Sequence, residues 1–123
     1  MTAPVFEITK AATFDAAHHL TIGPEDSPYR RLHGHSFRVE ATVRGPAQEP
    51  EGWVADLGEL DVKLKAAAAE LDHGLLNARP GLESPTLERL CLWFAARLKA
   101  DFPGLSRIEV SRPTIGERCA VEL

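Results

Sequence analysis

Apolar and polar side chains alternate along Val5-Phe6-Glu7-Ile8-Thr9-Lys10-Ala11-Ala12-Thr13-Phe14 and again along Phe37-Arg38-Val39-Glu40-Ala41-Thr42-Val43. That period of two predicts two half-buried strands, the second ending at Arg44-Gly45-Pro46. The period then changes. Leu57, Leu60, Leu64, Ala67, Ala68 and Leu71 recur at i, i+3, i+4 and i+7, which predicts a helix with one buried stripe and Asp56 as its N-cap. It should stop near Leu71-Asp72-His73-Gly74, with Gly74 making the turn. Leu87, Leu90, Cys91, Phe94, Leu98 and Phe102 form the stripe of a second helix. Ser84 is placed to cap it, with Pro85 at the first helical position and Pro103-Gly104 ending it. Alternation returns at Ile108-Glu109-Val110-Ser111-Arg112, and after Pro113-Thr114-Ile115-Gly116 a last strand runs from about Arg118 to Leu123. Leu20 to Arg31 is a loop, Ala47 to Gly52 a polar turn, and Trp53-Val54-Ala55 a short return strand or extended lead-in.

Two amphipathic helices need an apolar surface to cover. Four strands with one apolar face supply it, so the order ββααββ predicts an α+β two-layer sandwich: a four-stranded antiparallel sheet with both helices on one face. The sheet leaves two edges unpaired, and assembly with further copies removes them, which predicts a homo-oligomer. A chain of 123 residues is long enough for one core, so residues 1–123 are expected to form a single domain.

Composition narrows the partners. The 14 basic and 18 acidic residues leave a net charge of −4, with no basic cluster longer than Arg30-Arg31, which argues against nucleic acid. No apolar stretch reaches the roughly 18 to 20 residues of a membrane span, and the N-terminus has no basic-then-apolar leader. A cytoplasmic protein without membrane contact is expected. Cys91 and Cys119 are read as free thiols, Cys91 as part of the core.

The candidate chemistry lies in histidines. His33 and His35 are two apart at the start of the second strand and so share a face, and His18 follows the first strand. Antiparallel pairing would bring all three together. Three imidazoles with one position open suit a catalytic zinc ion, Zn2+, because a structural site would be closed by a fourth ligand. Histidines merely occupying turns are the alternative. Asp72 beside His73 suits proton transfer, since a carboxylate raises the basicity of an imidazole and fixes its tautomer. His19 is expected to face away from His18.

The segments Phe14-x-Ala16-Ala17-His18, Leu32-His33-Gly34-His35-Ser36-Phe37, Gly52-Trp53-Val54-Ala55-Asp56-Leu57, Leu71-Asp72-His73-x-x-Leu76-Asn77 and Pro85-Thr86-Leu87-Glu88 occur in this order. Together they resemble the 6-pyruvoyltetrahydropterin synthase and 6-carboxytetrahydropterin synthase family, the bacterial queuosine-pathway branch most closely. The resemblance implies the tunnelling fold (T-fold), with sheets of several subunits joined into an oligomeric β-barrel, active sites at subunit interfaces and a trimer-based assembly such as a hexamer. It implies that His18, His33 and His35 hold zinc and that His73 and Asp72 are catalytic. Thr86 and Glu88 are expected among the substrate contacts. The branch acts on a small molecule, converting dihydroneopterin triphosphate to 6-carboxytetrahydropterin with release of acetaldehyde and triphosphate.

Two positions depart from the family pattern. The catalytic cysteine expected four residues before His33 is Tyr29, and the glutamate that a second branch carries one residue later is Arg30. The glutamate expected to anchor the pterin, followed by threonine, is Arg112, followed by Pro113. A guanidinium donates hydrogen bonds and accepts none, so it suits a carboxylate or phosphate instead. Three explanations are open. Tyr29 serves as the acid or base; Glu117, Glu109 or Cys119 takes over a missing role; or the zinc site serves a changed, acidic, non-pterin substrate. Beyond an enzyme, a zinc-holding oligomer that binds an anionic ligand without catalysis also fits the residues, and a structural zinc protein fits them least.

Overall fold

A computed structural model describes residues 3–123. Its elements are β1 (Phe6–His18), β2 (His33–Gly45), α1 (Leu57–Leu71), α2 (Leu87–Leu98), β3 (Leu105–Arg112) and β4 (Glu117–Glu122), joined in places by single turns of 3-10 helix. The strands form one sheet in the order β1-β2-β3-β4, each pair antiparallel. This is the expected two-layer α+β arrangement. The sheet is open, with β1 and β4 at its edges. Among the described residues no helix is long and apolar enough to cross a membrane.

The alternation read from sequence decides which face is covered. On β1, Ala12, Phe14, Ala16 and His18 are buried; on β2, Phe37, Val39, Ala41 and Val43 are. The helices meet this face with Leu60, Leu64 and Leu71 from α1 and Leu90, Phe94 and Leu98 from α2. Phe14 stacks on Phe37 at 5.0 Å between ring centres and meets Phe94 at 5.7 Å, so aromatic packing ties the sheet to α2. Cys91 is fully buried, as expected, and burial together with the neighbouring Cys119 pushes its thiol up to about 12.

Several boundaries differ from expectation. β1 and β2 run further than the alternation suggested, so that His18 and His33 lie within the ladder, directly paired. Trp53 makes one bridge to Gln48 and no return strand. Helix α2 is capped by Thr86, whose hydroxyl accepts the Arg89 N–H at 3.2 Å, rather than by Ser84. Pro85 therefore stands outside the helix, and its carbonyl is not used by the helix ladder. At the end of α1 the left-handed turn is made by His73 (φ 57°), not by Gly74. A side chain with a Cβ is strained there, and the surrounding hydrogen bonds must hold it.

Candidate functional site

The three histidines converge at one end of the sheet. His18 pairs with His33 across β1 and β2, and His35 pairs with Ala16, so all three rings project from the helix-covered face just beyond the aromatic floor of Phe37. One nitrogen from each lies within 4.8 Å of the others. His18 Nδ1 lies 3.3 Å from the Pro85 carbonyl and His33 Nδ1 2.6 Å from the Arg31 carbonyl. A carbonyl only accepts, so these contacts place the proton on Nδ1 in both rings. Their Nε2 lone pairs then face each other at 3.1 Å. Two opposed lone pairs repel in the absence of a cation, and backbone carbonyls behind ring nitrogens are the usual means of orienting histidine ligands. The donor set fits a divalent metal.

Electrostatics agree. Burial, followed by the neighbouring His33 and His35, lowers His18 from 6.5 to about 4. His35 is lowered chiefly by burial and then by the Arg112 charge. These groups resist protonation, the state that would compete with metal. They line a cavity of about 420 Å³ together with Tyr29, Arg112 and Glu117. Tyr29, on the short turn Pro28–Arg30, is 62% exposed and so forms the rim. Arg112 ends β3 largely buried beside the histidines, with its Nε 2.8 Å from Glu117 Oε1.

The Asp72–His73 pair hangs on the open edge of β1. Asp72 Oδ1 accepts the Asp15 N–H at 2.9 Å, the His73 N–H donates to the Asp15 carbonyl at 2.6 Å, and the Ala17 N–H donates to the Gly74 carbonyl at 2.9 Å. These bonds hold the left-handed turn at His73. The Asp72 carboxylate reaches His73 Nδ1 at 2.8 Å, and this bond and charge raise the basicity of an imidazole whose side chain is 81% exposed. Asp72 is itself held low, first by the Asp15 N–H and then by His73. Asp15 also accepts from the Ser36 hydroxyl at 2.5 Å. A cavity of about 750 Å³ is lined by Asp15, Ser36, His73 and Thr114.

The structure therefore brings His18, His33, His35, Tyr29 and Arg112 into one cavity and His73 into another, with His35 and Ile115 at the boundary of both. Asp15 and Ser36 project from the face opposite the three histidines, because they alternate with them along the strands. Thr86 caps α2, and Glu88 is exposed in its first turn; neither lines the histidine cavity. His19 is outside the cluster, its backbone clamped by Asn77, whose Oδ1 accepts the His19 N–H at 3.0 Å and whose Nδ2 donates to the His19 carbonyl at 2.8 Å. Periodicity and spacing give Asp15, Ser36 and Asn77 no part in the site and point to Pro85 only as a helix start. All four lie inside the quoted motifs, and that position was the only signal for them.

The sequence profile of the family described as 6-pyruvoyl tetrahydropterin synthase matches residues 7–122. The chain is 39% identical over 109 residues to a 6-carboxy-5,6,7,8-tetrahydropterin synthase of Synechocystis, spanning 84% of this chain and 83% of that protein. It is 33% identical over 112 residues to a dihydroneopterin monophosphate aldolase of Pyrococcus furiosus, spanning 91% of each. The structure of the Caenorhabditis elegans 6-pyruvoyl tetrahydropterin synthase superposes with a TM-score of 0.84 at 18% identity, covering 100% of this chain and 99% of that one, which carries the fold.

Proposed function

The chain belongs to the 6-pyruvoyl tetrahydropterin synthase family, and from that membership we propose that it is a zinc-dependent lyase of the 6-carboxytetrahydropterin synthase type. Its substrate is dihydroneopterin triphosphate, and it serves queuosine and 7-deazapurine synthesis in the cytoplasm. The observation that carries the reading is the convergence of three histidine nitrogens within 4.8 Å, two of them backed by carbonyls. Nitrogens bound to one tetrahedral zinc at about 2.0–2.1 Å lie about 3.3 Å apart, close to the 3.1 Å between His18 and His33. Zinc, when bound, supplies Lewis-acid polarisation of the substrate's side-chain oxygens.

The chain's own groups do the rest. His73 Nε2 takes and returns the proton of the side-chain carbon, and Asp72 fixes Nδ1–H and stabilises the imidazolium. Tyr29 stands where the family's cysteine would be, at the rim of the histidine cavity, and acts as the second proton carrier. Because His73 opens into a different cavity from His18 and His33 within one chain, the active site is completed by a neighbouring subunit in a trimer-based homo-oligomer, with the open β1 and β4 edges joined into a barrel. Glu88, exposed on α2, would reach substrate only at such an interface.

The Pyrococcus furiosus relative favours a second reading, cleavage of dihydroneopterin monophosphate. Breaking the bond between the first and second side-chain carbons leaves 6-hydroxymethyldihydropterin and glycolaldehyde phosphate; a base takes the proton of the second carbon's hydroxyl, which becomes the aldehyde, and an acid returns a proton to the first carbon. Incubating zinc-loaded protein with each phosphate and identifying products by mass spectrometry tests both. Acetaldehyde with 6-carboxytetrahydropterin is the expected result; glycolaldehyde phosphate would establish the second reading, and no product from either would overturn both.

A further inference from the structure

Arg112 is the one cation that the histidine cavity buries. Its side chain is 16% exposed, and its guanidinium carbon lies 6.0 Å above the Phe37 ring that also floors His18 and His35. Its only ion-pair partner among the described residues is Glu117, which is half exposed. That pair is close, at 2.8 Å, but not aligned as a hydrogen bond, so the buried Nε–H is left without a partner. A dication on the three histidines would then face a guanidinium across one small cavity. Two like charges at low dielectric repel strongly, and one carboxylate already shared with solvent compensates poorly.

We propose that Arg112 is the oxyanion-binding residue of the histidine cavity. The ligand that belongs there carries a carboxylate or a phosphate ester, which sits between the metal and the guanidinium and displaces Glu117. This rests on the metal-centre reading above and names the class of ligand for it. A guanidinium offers a fork of donors that matches two oxygens of one carboxylate or phosphate. It offers nothing to the N–H groups of a pterin's amino-pyrimidinone edge, which need an acceptor. Affinity in this cavity therefore depends on the anionic group of the ligand. Glu117 is a displaceable counter-ion: it holds Arg112 in place without ligand and competes with the ligand for it.

The test is binding, not turnover. With zinc-loaded protein, neopterin, neopterin monophosphate and 6-carboxypterin are titrated by pterin fluorescence, and inorganic phosphate by calorimetry. One or both anionic pterins should bind at least 10-fold tighter than neopterin, and which of the two does so distinguishes phosphate from carboxylate as the group held. Arg112→Gln should reduce that preference to within about twofold with zinc content unchanged. Glu117→Gln, which removes the competitor, should tighten the anionic probes several-fold, an effect that a purely structural ion pair would not give. A preference that survives Arg112→Gln, or no preference in the unaltered protein, overturns the proposal while leaving the pterin reading intact. Inorganic phosphate bound by the unaltered protein and lost in Arg112→Gln, with no pterin bound, upholds it and overturns the pterin reading instead.

Discussion

The three-histidine cavity and the Asp72–His73 tip use the same side chain in opposite ways. His18 is 1% exposed, fixed by the strand ladder and a carbonyl, and held far below its ordinary range. His73 is solvent-facing, on a strained turn, and raised by its carboxylate neighbour. Burial disfavours the charged imidazole in the first case, and an adjacent anion favours it in the second. A neutral, rigid set of lone pairs suits a metal; a basic, exposed ring suits moving protons.

The comparison can be broken at either end. His33→Ala removes one of three donors and should lower zinc affinity more than ~100-fold, beyond the effect of losing an outer hydrogen bond; metal content after dialysis measures it, and full occupancy would refute the site. His73→Ala should leave zinc in place while kcat falls roughly 10²–10⁴-fold, the range of a lost general acid or base. Steady-state kinetics with metal analysis on the same sample separates the two regions. His73→Gly should be equally inactive yet melt higher, since glycine relieves the left-handed backbone. Asp72→Asn should act more mildly, about 10-fold on kcat, and return the His73 titration towards 6.5, read by NMR of its ring protons.

The smallest effect is on stability against pH in metal-free protein. His18 has its folded value, about 4, below the unfolded 6.5, so the unfolded chain binds more protons between them. Its contribution is complete above 6.5 and is lost as pH falls from 6.5 to about 4. His73 works the other way: its folded value is raised, so its contribution is complete below 6.5 and fades as pH rises through that raised value. Denaturant midpoints for the native chain and His18→Leu across this window should differ in slope; parallel curves would contradict the burial argument.

The strands, both helices and their buried stripes were legible because period two and period 3.6 are properties of local sequence, and the side chains that repeat are those the core then buries. So was the convergence of His18, His33 and His35, since alternation fixes the face and antiparallel pairing fixes the neighbour. The cap at Thr86 has no local signature that sets it above Ser84-Pro85, an equally good start; the contact of the Pro85 carbonyl with His18 shows why the helix begins later. Local sequence favours Gly74 for the left-handed turn because glycine is the cheaper residue there; bonds from Asp72 and His73 to Asp15, 57 or more positions earlier in the chain, override that preference. The split of Asp72–His73 from the histidine cavity, and the burial of Arg112 within it, had no local signature. Sequence determined which residues repeat on which face, because backbone geometry sets that period. Tertiary structure alone decided which faces share a cavity, because this depends on the packing of edges and turns remote in the chain.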